Sequence, residues 1–145
     1  MSTPLLVGTL VGVAIAILAR IAGFERRTFF AATTLVVAHY YLLFAVMAGD
    51  MGALASEGAI AFTFAALALI GFRWSLELVA VALALHGVQD AWHGALVLNT
   101  GTPDWWPSFC MAFDVTAAAA LAWQIRGACR LATRCGGQPR LAYFK

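Results

Sequence analysis

The stretch WSLELVAVALALHGVQDAWHGALVL, which runs from Trp74 to Leu98, decides the fold that the sequence predicts. A helix that crosses a bilayer needs about 20 mostly apolar residues, and this stretch is long enough. Within it, His86, Asp90 and His93 are spaced i, i+4 and i+7, so they share one helical face. Ionisable side chains are expensive inside a membrane, and their presence there indicates a functional site.

The composition extends this interpretation to the whole chain. Of its 145 residues, 63% are hydrophobic and 11% are charged, and the mean hydropathy is +0.86. A soluble domain is nearer half apolar and a quarter charged. The sequence therefore predicts an all-α integral membrane protein. The three cysteines do not have the spacing of a disulfide framework or of a zinc motif, and the role of Cys129 and Cys135 stays open.

Five apolar stretches have the length of a membrane span, which predicts a bundle of five transmembrane helices. They are Pro4–Ile21, Phe29–Ala48, Ala53–Phe72, Trp74–Leu98 and Trp105–Trp123. The third is the least apolar because Glu57 lies in its first turns, and we expect this carboxylate to face the outer water. Residues 1–126 would form the transmembrane domain, and residues 127–145 a basic cytoplasmic tail.

The positive charges predict the orientation of this bundle. All nine basic residues fall on one side of the five-span arrangement: Arg20, Arg26, Arg27, Arg73, Arg126, Arg130, Arg134, Arg140 and Lys145. By the positive-inside rule the N-terminus lies outside and the C-terminus in the cytoplasm. We expect a multi-pass protein of the inner (plasma) membrane whose tail contacts anionic lipid headgroups. The sequence predicts no nucleic-acid partner and leaves a homo-oligomer open.

Counting helix rise from the predicted outer ends places several polar groups at one depth. His39, Asp90 and Asp114 each lie roughly 12–13 Å from the outer end of their spans, with His93 shallower and His86 deeper. Such groups should face the bundle interior and meet one another rather than face lipid. We therefore expect one polar cluster built from three helices. The expected substrate-binding neighbours are Tyr40, Tyr41, Gln89 and Trp92.

The first functional interpretation is acid–base catalysis on an apolar, lipid-like or terpenoid-like substrate, by isomerisation or cyclisation; the sequence leaves open whether a cofactor takes part. Asp90 and Asp114 would be the proton-transfer pair, and His86, His93 and His39 would tune or share the proton. In architecture the chain is similar to the emopamil-binding sterol isomerases, small helical membrane proteins with acid–base groups inside the bundle. The similarity covers His86, Asp90 and Asp114 only.

Other interpretations stay open. Zinc or iron held by His39, Asp90, His93 and Asp114 would give a metal-dependent lipid hydrolase, which resembles the alkaline ceramidase-type hydrolases in residue types. Two histidines on facing helices would suit haem, and intramembrane Asp and His side chains also serve proton relays. A structural role, in which these groups fix the register of the helices by hydrogen bonds, is the remaining alternative.

Overall fold

Six helices follow one another along residues 2–134, the part of the chain that the computed structural model describes, with side chains described for residues 2–130. They are α1 (Ser2–Ile21), α2 (Arg26–Ala48), α3 (Met51–Trp74), α4 (Leu76–Ala91), α5 (His93–Leu96) and α6 (Trp106–Arg134). No strand occurs among these residues. Four of the helices, α1, α2, α3 and α6, are long and apolar enough to cross a membrane. The protein is therefore a helical bundle with four candidate membrane spans.

The turns between the helices are closed by capping side chains. The Asp50 carboxylate accepts a hydrogen bond from the Ala53 amide at the start of α3 (2.9 Å), and Gly49 ends α2 in the left-handed region at φ 67°. Ser75 alone separates α3 from α4, and its hydroxyl caps α4. These caps satisfy helix-terminal N–H groups that no helical carbonyl can reach.

The fourth predicted span is not one continuous helix. α4 stops at Ala91 after 16 residues, which is roughly 24 Å of helix. Trp92 leaves the helical conformation, and α5 adds only one further turn before the loop that leads to α6. The prediction of an unbroken helix over Trp74–Leu98 is therefore wrong. Its first residue, Trp74, belongs to α3.

Close backbone contact joins α1 to α6. A Cβ atom at Gly8 would collide with the Phe109 carbonyl oxygen, and one at Gly12 would lie 3.0 Å from the Thr116 Cβ. Small residues spaced four apart let membrane helices approach closely in this way. Contacts ascend together along the two helices, so α1 and α6 run parallel. On its other side α6 packs on α4, while α3 packs on both α2 and α4.

Both ends of the bundle carry exposed tryptophans. We call the end with Asp50 and Asp104 the acidic end, and the end with Arg20, Arg26, Arg27 and Arg73 the basic end. Trp92 and Trp105 are exposed at the acidic end, and Trp74 and Trp123 at the basic end. Trp105 and Trp123 are separated by roughly 27 Å of helix, close to the thickness of a hydrocarbon core. Apolar side chains face outward between them, as in a membrane protein.

α6 continues past the predicted end of the fifth span at Trp123, as far as Arg134. Part of the predicted basic tail, residues 127–134, is therefore helical. Residues 135–145, which include Cys135, lie outside the described residues.

Candidate functional site

The centre of the site is a fully buried triad formed between α4 and α6. The His86 Nδ1–H donates to Asp114 Oδ2 at 2.6 Å, and the same nitrogen lies 3.6 Å from Asp90 Oδ2. All three side chains have no accessible surface. Gly87 makes this proximity possible, because a Cβ atom there would lie 3.2 Å from both the Asp114 Cβ and the Met111 carbonyl oxygen. We call these three residues the buried triad.

The hydrogen bond to Asp114 favours the imidazole tautomer in which Nδ1 carries the proton. When Nδ1 carries the proton that Asp114 accepts, Nε2 of the neutral ring presents a free lone pair. This Nε2 is buried and has no hydrogen-bond partner among the described residues. The imidazole and the Phe64 ring form a T-shaped pair with centroids 4.8 Å apart. A carboxylate that orients a histidine in this way is typical of a general base and of a metal ligand.

Other polar atoms around the triad also lack partners in the described part of the chain. Both Asp90 oxygens, Asp114 Oδ1 and the Tyr41 hydroxyl are buried without a hydrogen bond, and Tyr41 lies beside Asp90. An unsatisfied buried polar group costs about 1–3 kcal/mol. Several such groups at one place indicate a site that takes up protons, water, an ion or a ligand.

A second buried cluster lies next to the triad, and we call it the Glu57 cluster. The His93 Nε2–H donates to Glu57 Oε1 at 2.7 Å, and the Asn99 amide donates to the same oxygen at 3.0 Å. The Asn99 amide also donates to the Tyr41 carbonyl at 2.9 Å. The Tyr41 ring stacks on the His93 ring with centroids 3.8 Å apart. The cluster thus joins α2, α3, α5 and the loop before α6.

The burial of Glu57 contradicts an expectation from the sequence. We expected its carboxylate to face the outer water, but it is only 1% exposed and is bound by His93 and Asn99. The sequence could have indicated that Glu57 lies within the span, because it is six residues into α3, roughly 9 Å from the helix start. The break at Trp92 explains why His93 meets Glu57, since it turns His93 away from the helical face of His86 and Asp90 and toward α3.

His39 does not join either cluster. Its side chain is exposed on α2, and its Nδ1–H donates to the Leu35 carbonyl of the same helix at 2.6 Å. The expectation that His39 faces the bundle interior is therefore wrong. The exposed position of His39 also excludes it from the metal-ligand set and from the haem pair that the sequence suggested.

The four expected substrate-binding residues are placed differently from one another. Trp92 is 60% exposed on the outside of the bundle, which contradicts its expected place beside the cluster. Tyr41 lies between the triad and the Glu57 cluster. The side-chain amide of Gln89 is buried without a partner among the described residues. Tyr40 lines a groove elsewhere on α2.

That groove is apolar and runs between α1 and α2, with α6 as its floor. Its volume is about 820 Å³, and aromatic side chains line one end: Tyr40, Trp105, Trp106, Phe109 and Phe113. Cys110 lines the same groove and also lies beside Asp90 and Asp114. Cys110 is only 2% exposed, and it precedes Asp114 by one helical turn on α6.

The triad has the donor set of a metal site. His86, Asp90 and Asp114 each offer one ligand atom, and these atoms lie within 4.8 Å of one another. Imidazole and carboxylate ligands suit zinc or iron. This set differs from the predicted one, because His86 takes part while His39 and His93 do not. Comparisons with protein-family models, with curated proteins and with solved structures found no match.

Proposed function

We propose that this chain is a membrane-embedded enzyme that carries out acid–base chemistry on an apolar, lipid-like substrate. The observation that carries the proposal is the buried His86. Its Nδ1–H donates to Asp114 and lies 3.6 Å from Asp90 Oδ2, while its Nε2 has no hydrogen-bond partner among the described residues. Charges and polar groups of this kind are costly within a membrane, and interhelical hydrogen bonds alone return only about 0.6 kcal/mol on average.

The groups present suit an isomerisation. The neutral His86 would take a proton from one substrate carbon through Nε2, and Asp114 would stabilise the imidazolium that forms. Asp90, whose carboxyl oxygens have no hydrogen-bond partner among the described residues and lie close to Asp114, would deliver a proton to another carbon. One proton leaves the substrate and one enters, so the reaction needs no oxidant or reductant.

The substrate class follows from the groove between α1 and α2. Its volume falls within the range of small-molecule sites, and its lining is apolar and partly aromatic. Aromatic faces attract a developing positive charge, as in the protonation of a double bond. A substrate in this groove would reach the triad past Cys110, the residue that borders both.

Deuterium uptake tests the proposal without knowledge of the substrate. The purified protein is incubated in D₂O with lipids extracted from the producing membranes, and the lipids are analysed by mass spectrometry. We expect deuterium on carbon in one lipid species, reduced by about 100-fold or more in His86→Gln and Asp90→Asn. His39→Gln is the matched control, because His39 touches neither cluster. Equal uptake with wild type and His86→Gln contradicts the proposal.

A metal-dependent hydrolase is the second candidate, favoured by the three convergent ligand atoms of the triad. A divalent ion would offset the two carboxylate charges and activate a water molecule for hydrolysis. Measurement of zinc and iron in the purified protein distinguishes the two candidates. A stoichiometric metal that is lost in His86→Gln and kept in His39→Gln supports the hydrolase, and its absence supports metal-free acid–base chemistry.

For the topology, we infer five passes through the plasma membrane, with the N-terminus outside. α3 begins at the acidic end and α6 also begins there, so the chain must return from the basic end between Trp74 and Trp106. α4 is the helix that makes this return. Together with α5 and the loop to α6, α4 would cross the thickness of the membrane that a single longer helix would otherwise cross. The Lys and Arg residues at the basic end support its cytoplasmic location.

A further inference from the structure

The buried triad and the Glu57 cluster are neighbours in a single row of polar groups. The row runs from Asn99 and Glu57 to His93, then through Tyr41 to Asp90, His86 and Asp114. Members come from α2, α3, α4, α5, α6 and the loop before α6. Leu83, one turn before His86 on α4, and Phe113, next to Asp114 on α6, belong to the buried apolar core.

The two ends of the row differ in their access to solvent. The triad has no accessible surface, whereas the His93 side chain retains 3% and Asn99 retains 8%. Asn99 belongs to the loop at the acidic end, next to residues that are partly or fully exposed. The Glu57 cluster therefore lies between the triad and the surface of the acidic end.

We propose that Glu57, His93 and Tyr41 form a proton relay that connects the acidic surface to the buried triad. Glu57 and His93 exchange a proton along their 2.7 Å hydrogen bond. Tyr41, whose ring lies 3.8 Å from the His93 ring and 6.5 Å from the His86 ring, passes the proton on to the triad through a bridging water molecule. Each of these side chains can both accept and donate a proton. The orphaned atoms of Tyr41 and Asp90 leave hydrogen-bonding capacity for a bridging water molecule.

The relay would serve the proposed acid–base function, on which its biological purpose rests. An enzyme that exchanges protons with its substrate must also restore its own protonation state, and a triad without accessible surface needs a path for this. Chains of Asp, Glu and His within membranes are typical of such paths. Besides those three side chains, the titratable groups in and beside the row, among the described residues, are Asp90, His86 and Asp114 and, from α6, the thiol of Cys110.

A purely structural role for the Glu57 cluster makes a different prediction. His93 and Asn99 hold the segment after the break at Trp92 against α3 and α2, and any side chain that donates to Glu57 would preserve this attachment. A glutamine at position 93 can donate a hydrogen bond but cannot carry a proton onward. His93→Gln thus separates proton transfer from attachment.

The test measures exchange of the His86 Nδ1 proton with water. The full chain is labelled with ¹⁵N-histidine, placed in lipid nanodiscs and studied by NMR, with His39→Gln used to assign the resonances. We expect rapid exchange in the wild type and exchange about 100-fold slower in His93→Gln and Tyr41→Phe, the lower end of what a positioned proton-transfer group contributes. His39→Gln should exchange like the wild type.

Two results overturn the relay: slow exchange in the wild type, or equal exchange in the wild type and a folded His93→Gln. Thermal unfolding of each variant establishes that it is folded, and Tyr41→Phe provides a second test because it retains the ring that stacks on His93. The proposed function fails separately. If lipids take up no deuterium but exchange still depends on His93, the relay stands and the acid–base function does not.

Discussion

His86 and His39 lie on apolar helices, yet they satisfy their Nδ1–H groups in opposite ways. His39 donates to a carbonyl one turn earlier on its own helix, so it needs no partner on another helix and can remain at the surface. His86 donates to Asp114 across 28 residues of sequence. At the scale of single residues, a hydrogen bond within its own helix accounts for the exposed position of His39, and a hydrogen bond between helices for the burial of His86.

Cys110 should control the passage between the apolar groove and the buried triad. Its small side chain borders both spaces, so Cys110→Leu should close the passage while preserving an apolar lining. We expect His86-dependent deuterium uptake by lipids to fall by about tenfold or more, with overpacking costing about 1–3 kcal/mol of stability. Deuterium uptake and thermal unfolding are measured on the same preparation.

Cys110→Ala is the control for this prediction, since it removes the thiol without obstructing the passage. Its deuterium uptake should equal or exceed that of the wild type. A similar loss in Cys110→Ala would assign the effect to the thiol itself and contradict a steric role. Unchanged uptake in a folded Cys110→Leu would place the substrate path elsewhere.

The residue types and their depths predict part of this site. His86, Asp90 and Asp114 meet because two costly carboxylates and a histidine at similar depth have few alternatives to one another. The same argument fails for His39, because depth counting does not reveal a hydrogen bond within its own helix. For Glu57, depth indicates a position within the span but not its direction, since a carboxylate roughly 9 Å from a helix start can reach either water or the interior.

At the scale of helices, the break after α4 is the feature on which the second cluster depends. Irregular backbone at membrane depth is tolerated where protein groups satisfy it. The Val97 amide still donates to the His93 carbonyl, and Asn99 anchors the loop to the Tyr41 carbonyl. Hydropathy alone could not locate this break, because the segments Val79–Leu85 and Ala95–Leu98, before and after it, are both apolar.

Removal of Glu57 should destabilise the bundle more than removal of its neighbour on the helix surface. Glu57→Ala leaves the buried His93 and Asn99 side chains without their shared acceptor, which should cost about 1–3 kcal/mol. Ser56→Ala is the matched control, because Ser56 is exposed and donates only to a carbonyl of its own helix. Unfolding in mixed micelles by titration with sodium dodecyl sulfate gives both free energies. Equal stability of the two variants would contradict a binding role for Glu57.

The close contact between α1 and α6 predicts the sign of the change in unfolding free energy when Gly8 is replaced by alanine. Alanine usually favours a helix over glycine by about 1 kcal/mol, but the Cβ atom of Gly8→Ala would meet the Phe109 carbonyl. We expect Gly8→Ala to lower the unfolding free energy by about 1–3 kcal/mol. Gly127→Ala, on the same pair of helices but with nothing within 4 Å of its Cβ, should leave it unchanged or raise it. The micelle titration measures both, and a stabilised Gly8→Ala would contradict the close approach.

At the scale of the whole molecule, hydropathy predicts the class of the protein better than the arrangement of its helices. Four long apolar helices follow from composition and length. The spacing of Gly8, Gly12 and Ala16 would also have predicted that α1 has a tightly packed face, although not that α6 is its partner. Parallel packing of the first and last long helices brings together residues about 100 positions apart, and no local pattern encodes that choice.

The five-pass topology predicts which positions share a side of the membrane. The chain crosses twice between Met51 and Asp104 if α4 completes a pass, and once if it does not. Single cysteines are introduced as Met51→Cys or Asp104→Cys after Cys110, Cys129 and Cys135 have been replaced by alanine, and intact cells are treated with a membrane-impermeant maleimide. The positive-inside rule places the basic end in the cytoplasm. Both introduced cysteines lie at the opposite, acidic end, so both should be labelled from outside.

A chain that keeps only the native Cys129 should be labelled after permeabilisation alone. Labelling of Met51→Cys and Asp104→Cys from opposite sides would show that α4 does not cross, and labelling of Cys129 in intact cells would reverse the orientation.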